Sequence, residues 1–249
     1  MKFVRMAFLT GLSLGSVLLF AAQEEGSGWC RNGQIYVVPT PGSVVIDGKL
    51  DETAWKAAGT IEFRFPWEQQ TGAKQKTTAR LLWNDEYLFV GYACEDTDIV
   101  AHYTERDDPT YKDDAVELFL NPDPSQDWYY GMEMNARAVL YDYFYAFPRM
   151  LLKRVNFSGV QIASNIRGTL NVTGDQDEGW SLEVAIPWRN FEELAKRLPP
   201  EPGSGWTANL NRWDGTEPHR RLSLWSDSGL EQPHPHNPKR FSELVFRAE

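Results

Sequence analysis

Short segments in which apolar and polar residues alternate fill most of the chain after residue 43. In 115–120, for example, Val116, Leu118 and Leu120 alternate with Glu117 and Phe119. Successive side chains of an extended strand point to opposite faces, so alternation at period two predicts half-buried strands. Turn residues separate these segments at short intervals, which is typical of an all-β sandwich or barrel.

Two short helices complete the predicted fold. One covers 51–58 and ends before Gly59, and the other covers 188–198 and ends at Pro199. The predicted strands lie at 43–46, 61–65, 78–83, 87–94, 115–120, 129–145 (two strands meeting near Ala136), 160–170, 180–186, 206–212, 222–225 and 241–246. We therefore expect an all-β, two-layer antiparallel sandwich of the jelly-roll or immunoglobulin-like type.

The N-terminus has the order of a secretory signal. Lys2 and Arg5 precede an uncharged, mostly apolar run that ends at Ala22, and polar residues follow. This order predicts a signal peptide and export to the periplasm or the extracellular space, with a retained membrane anchor as the alternative. The predicted divisions are a signal peptide at 1–22, an N-terminal segment at 23–42 and one folded module at 43–249.

Charge and cysteine content narrow the partners. The formal net charge is −10, which disfavours nucleic acid and anionic membrane surfaces and leaves neutral glycans and divalent cations. Cys30 and Cys94 could form a disulfide outside the cytoplasm or stay separate thiols. The sequence does not specify an oligomeric state.

Crowded carboxylates at 95–98, 106–108 and 113–114 could supply the oxygen ligands of a structural calcium ion, although they lack the EF-hand spacing. Solvated acidic loops are the alternative interpretation.

Three strand glutamates, Glu117, Glu133 and Glu183, raise the question of catalysis. Two of them flanking a scissile bond would make a glycosidase, whereas charged residues on a water-facing strand are common in antiparallel sheets. His234 and His236 lie among prolines, which predicts a loop. They could be exposed, contact a ligand or bind a metal.

Several segments together resemble carbohydrate-binding module family 9 and the related DOMON-type sandwiches. The resemblance runs from about residue 43 to residue 246 and rests on the order and spacing of its pieces. These pieces are Ile46-Asp47-Gly48-Lys49-Leu50-Asp51-Glu52-Thr53-Ala54-Trp55, 79–90, Asp113-Asp114-Ala115-Val116-Glu117, Gly179-Trp180-Ser181-Leu182-Glu183, Leu224-Trp225-Ser226-Asp227 and 238–244.

The resemblance implies an all-β binder of poly- or oligosaccharides that has no catalytic machinery and requires no cofactor. In that family two tryptophans clamp the end of a glycan. The first clamp position falls on Tyr111, and the second falls in 234–236, where this chain has no tryptophan. The implied site places Tyr111 on one rim and His234 or His236 on the other, above Glu117, Glu133, Asn135 and Asn211.

Strand parity places Glu133 and Asn135 on one face and Met132 and Met134 on the core face. Two alternative functions stay open. A DOMON-type haem module for electron transfer would need one of these methionines paired with a histidine. A structural envelope domain would bind protein.

Overall fold

The computed structural model describes residues 30–31, 33–146, 150–152 and 156–248. The predicted signal peptide lies outside these ranges. Within them, no helix has the length and apolar character that crossing a membrane would need.

Fourteen strands form a single curled sheet in the described part of the chain. The strands are β1 (Cys30–Arg31), β2 (Gln34–Pro39), β3 (Ile61–Glu62), β4 (Thr77–Trp83), β5 (Tyr87–Glu95), β6 (Ala115–Asn121), β7 (Trp128–Asn135), β8 (Leu140–Ala146), β9 (Met150–Leu152), β10 (Gln161–Arg167), β11 (Gly179–Pro187), β12 (Gly205–Asp214), β13 (Arg221–Leu224) and β14 (Ser242–Phe246).

The hydrogen-bonded path runs β10-β11-β5-β4-β2-β14-β12-β6-β7-β8-β9, and β1, β3 and β13 pair with β2, β4 and β12. The all-β class is confirmed. The hydrogen-bonded path is continuous through β2, and the division into two layers of a sandwich stays a prediction. The prediction of a wholly antiparallel sheet was wrong, because β2 runs parallel to both β14 and β4.

The sheet curls around one main core. Val116, Leu118 and Leu120 of β6 enter it from one half, and Val90 of β5 and Val184 of β11 enter it from the other. These are the apolar positions of the alternating pattern. The opposite face of β6 is covered as well, by aromatic side chains, so every residue of the strand is buried.

Some local predictions need correction. The two predicted helices are short 3-10 helices at Thr53–Ala57 and Trp188–Phe191, with further 3-10 turns at Thr110–Lys112 and Pro238–Arg240. Residues 43–46 form no strand. Two strands that were not predicted, β1 and β2, precede this segment.

Candidate functional site

A cleft of about 860 Å³ opens on the face of the sheet formed by β12, β6, β7 and β8. Four residues lie in one row across these strands, because Asn211 is paired with Glu117, Glu117 with Glu133, and Glu133 with Tyr141. Residues opposite one another on neighbouring strands project from the same face. The lining comprises Tyr111, Lys112, Glu117, Glu133, Tyr141, Tyr143, Trp213, Thr216, Glu217, Arg220, His234, Pro235 and His236.

Glu117 lies at the centre of the floor with only 1% of its surface exposed. Asn211 donates an amide hydrogen to Glu117 Oε2 at 3.2 Å. Burial raises the pKa of Glu117 to about 7, against the opposing effects of the hydrogen bond from Asn211, the positive charge of Arg220 and the hydrogen bond from Trp213. The carboxyl group therefore titrates near neutral pH.

Glu133 shares the floor with Tyr143. The Tyr143 hydroxyl donates to Glu133 Oε1 at 2.8 Å. Its ring reaches that position by lying over Gly131, where a β-carbon would be only 2.2 Å from Tyr143 Cζ. A glycine in β7 therefore makes room for an aromatic ring in the cleft.

Tyr111 forms one rim from the 3-10 helix Thr110–Lys112. Its side chain is 37% exposed and packs edge-on against Tyr141, with ring centres 5.8 Å apart. Asn135 positions this segment, because its amide donates to Oδ2 of Asp113, the residue that follows the 3-10 helix, at 2.8 Å. The same amide donates to the Tyr103 carbonyl at 2.9 Å.

Asn135 is not part of the cleft lining. Its side-chain oxygen accepts from the backbone N–H groups of Arg137 and Val139, so both ends of the amide are used within the protein. The predicted contact between Asn135 and a ligand is therefore corrected to a role in positioning the Tyr111 rim. Asn211 is fully buried beside Glu117 and lies behind the lining.

The opposite rim is the loop 234–236. His234 is exposed and lines the cleft. His236 stacks nearly parallel to Phe119 and to Tyr145, at ring distances of 4.7 and 5.2 Å, and shares a hydrogen bond with the Tyr129 hydroxyl. Burial, followed by the nearby His234, lowers the pKa of His236 to about 3. His236 is thus a neutral part of an aromatic cluster, and His234 is the histidine that can face a ligand.

Eight lining residues were not among the predicted site residues, and they include Tyr141, Tyr143, Trp213 and Arg220. The two tyrosines alternate along β8 and would follow from the register of the β7–β8 hairpin. The Arg220 guanidinium lies 5.2 Å from the centre of the Trp213 ring. No signal in the sequence marks Arg220, which reaches the cleft from the turn after β12.

Glu183 lies outside the cleft, on β11. It accepts hydrogen bonds from the Trp55 indole at 2.8 Å and from the backbone N–H groups of Asp47 and Gly48 at 3.1 and 2.8 Å. Gly48 has φ +89 and approaches the Ser164 backbone too closely for a β-carbon. The carboxylate therefore holds the 46–55 motif against the sheet.

A buried acidic cluster lies next to the core. Carboxylate oxygens of Asp96, Asp114 and Asp214 lie within 4.8 Å of one another and could hold a metal ion. Arg212 already donates to Asp96 at 2.8 Å and to Asp214 at 2.7 Å. Burial, followed by the charges of Asp96 and Asp214, raises the pKa of Asp114 to about 8. The structural calcium stays a prediction.

Two further predictions concern Met and Cys residues. Met132 and Met134 lie in the core, on the face of β7 opposite to Glu133, as parity predicted. They are therefore turned away from the cleft that His234 and His236 line.

Cys94 is a buried free thiol whose pKa burial raises to about 12. The Cys30 side chain lies outside the described part.

Comparison with known proteins identifies relatives of this fold. The chain is 27% identical over 186 residues to the exoglucanase XynX of Acetivibrio thermocellus and 27% identical over 188 residues to the endo-1,4-beta-xylanase C of Paenibacillus barcinonensis. Each match covers 75% of this chain, which spans only 15% of the length of either relative.

Solved structures share the fold at low sequence identity. A protein of Bacteroides uniformis matches with a TM-score of 0.70 and 18% identity over 86% of this chain and 99% of that one. A family 9 carbohydrate-binding module of Caldicellulosiruptor kristjanssonii was solved with cellotriose and with glucose. These two structures match with TM-scores of 0.60 and 0.59 at 17% identity, over 87% of this chain and 94% and 96% of those chains.

The sequence profile of one family matches residues 46–247, which is most of the chain and includes every element that lines the cleft. The chain belongs to the family of carbohydrate family 9 binding domain-like proteins.

Proposed function

We propose that this protein binds poly- or oligosaccharides without cleaving them, in the cleft between Tyr111 and the loop 234–236. The observation that carries the proposal is the lining of the cleft, where aromatic rings surround the carboxylates of Glu117 and Glu133. Sugar rings pack their C–H faces on aromatic side chains, and their hydroxyls need hydrogen-bonding partners. Relatives solved with cellotriose and glucose make cello-oligosaccharides the first ligands to test.

The arrangement of the two carboxylates favours binding over hydrolysis. A glycosidase needs its two carboxyl groups on opposite sides of the bond that breaks. Glu117 and Glu133 are neighbours on adjacent strands and project from the same face of the sheet, so both would lie beneath a ligand. Hydrolysis of cello- and xylo-oligosaccharides should stay at the level of buffer, and turnover lost in Glu117→Gln would contradict this assignment.

Export fits the same function. The predicted signal peptide at 1–22 would deliver the protein to the periplasm or the extracellular space, where polymeric glycans are found. Mass spectrometry of the mature protein should show an N-terminus after residue 22.

The proposed cleft is tested by calorimetric titration after a glycan-array screen with and without calcium. Tyr111→Ala should weaken binding by about five- to tenfold, since it removes an exposed aromatic contact. The matched control is Trp128→Ala, because Trp128 is also exposed, at 43%, and does not line the cleft. Equal losses in both variants, or none in Tyr111→Ala, would place the site elsewhere. A blank array would favour a structural domain that binds protein.

A further inference from the structure

The floor of the cleft has an excess of hydrogen-bond acceptors. Directly behind the floor, Asn211 Oδ1 is buried and has no hydrogen-bond partner among the described residues, while the other end of the same amide donates to Glu117. Glu117 can accept about four hydrogen bonds, and the side chains of Asn211 and Trp213 supply two donors. A buried acceptor without a donor is costly, so this floor is suited to a ligand group that supplies several donors.

The floor also concentrates negative charge. Glu117 and Glu133 lie directly opposite each other on β6 and β7, where β-carbons are about 4.5–5.5 Å apart. Like charges in such a pair repel each other. Burial separately raises the pKa of Glu117 to about 7. A cation seated between the two carboxylates would relieve the repulsion.

Arg220, the half-buried cation of the lining, uses its terminal hydrogen-bond donors away from the floor. Its two terminal nitrogens donate to four backbone carbonyl groups, those of Tyr111, Lys112, Asp113 and Gly215. These are all the hydrogens that its terminal nitrogens carry. Lys112 is exposed at the rim. Arg220 therefore fixes the rim and leaves the floor open to a cation from the ligand.

We propose that the cleft selects glycans that carry a protonated amine, of the 2-amino-2-deoxyhexose class, over neutral hexose chains. The inference rests on the proposed function and names its ligand class. An ammonium group brings three donors and no acceptor, whereas a hydroxyl brings one donor and two acceptor lone pairs. The first matches the carboxylate acceptors of Glu117 and Glu133, which line the cleft. An N-acetyl group would lose both the charge and two of the donors.

Three trisaccharides with the same β-1,4 linkage test the proposal, because they differ only at C2: cellotriose, the glucosamine trimer and the N-acetylglucosamine trimer. Calorimetric titration near neutral pH should give the glucosamine trimer at least about tenfold higher affinity than the other two, as expected for charge-assisted hydrogen bonds. Added salt should weaken its binding and leave that of cellotriose unchanged.

Glu133→Gln removes one floor charge at nearly constant shape and should abolish the preference for the amine. Glu86→Gln is the control, since it changes the net charge equally from an exposed turn outside the cleft. If Glu133→Gln does not fold, as judged by circular dichroism, Glu117→Gln gives the same test. Equal or tighter binding of cellotriose or the N-acetylated trimer overturns the amine preference and leaves glycan binding intact. If none of the three trisaccharides and no glycan on the array binds, both the amine preference and the proposed glycan binding are wrong.

Discussion

Tyr143 lies across Gly131 on the neighbouring strand, so closely that a β-carbon at residue 131 would be 2.2 Å from the ring. This packing places the Tyr143 hydroxyl against Glu133. Gly131→Ala should push the ring away and remove that hydrogen bond. We expect glycan affinity to fall by about three- to tenfold, the effect of losing one hydrogen bond.

Calorimetric titration measures the effect of Gly131→Ala, and Tyr143→Phe is its control because it removes only the hydroxyl. The two variants should show losses of similar size. Unchanged affinity in both would show that the floor geometry does not depend on this contact.

Glu183→Gln should affect stability and spare binding. The carboxylate accepts from two backbone N–H groups and one indole N–H. A glutamine replaces one carboxylate oxygen with an NH2 group, so its own N–H donors would face some of these N–H donors. We expect the free energy of unfolding to fall by about 1–3 kcal/mol in urea denaturation. Glu178→Gln, with a side chain exposed at 81%, should have no such effect. Weaker glycan binding by folded Glu183→Gln would contradict the separation of this motif from the cleft.

Arg212→Met should be the most destabilising of these changes. Arg212 is fully buried and forms ion pairs with Asp96 and Asp214. Its removal leaves a cluster of buried carboxylates without their cation, which typically costs about 3–5 kcal/mol. Lower pH should recover part of the loss, since protonation neutralises the carboxylates. Arg189→Met, at an exposed position, is the control. If Arg212→Met and the control lose the same free energy of unfolding, the buried carboxylates are protonated and uncharged once Arg212 is removed.

Stability should decrease as the pH rises through neutrality. The pKa of Glu117 is raised from 4.5 to about 7, and that of Asp114 from 3.8 to about 8. Folding therefore favours the protonated forms, whose contribution is complete below about pH 4 and is lost as the pH rises through 7 and 8. The charged and titratable groups around Glu117 are Glu133, Arg220, Tyr92, Tyr129 and Tyr143. Those around Asp114 are Asp96, Asp214 and Arg212.

Urea denaturation at about pH 5 and about pH 9 checks this dependence. Glu117→Gln should remove the part of the loss centred near pH 7. A midpoint that is constant or rises with pH would contradict the burial of both groups in their protonated form.

Much of the fold follows from local patterns in the sequence. Alternation in 115–120 predicted which side chains of β6 enter the core, and parity placed Met132 and Glu133 on opposite faces. Helical spacing in 188–198 was misleading, because only Trp188–Phe191 forms a helical turn, whose Trp188 and Phe191 side chains pack into the core. Parallel pairing of β2 joins distant parts of the chain and leaves no local signal.

The family resemblance assigned the candidate site residues, and the structure brings five of them together. Tyr111, Glu117, Glu133, His234 and His236 all line one cleft. Asn135 was assigned to the floor from the resemblance, with its parity with Glu133 as support. Its amide instead forms hydrogen bonds with Asp113 and Tyr103 and with the backbone of residues 137 and 139. Arg220 depends on the path of a loop, which no alternation pattern encodes.

Strand β2 has a practical consequence. The family match begins at residue 46, whereas β2 covers Gln34–Pro39 and is hydrogen-bonded to β4 on one side and β14 on the other. A shortened protein beginning at residue 46 would keep the whole cleft and expose the edges of two strands. Such edges offer rows of N–H and C=O groups to neighbouring molecules and promote aggregation. Soluble protein for sugar titrations must therefore include the residues that precede the recognisable family region.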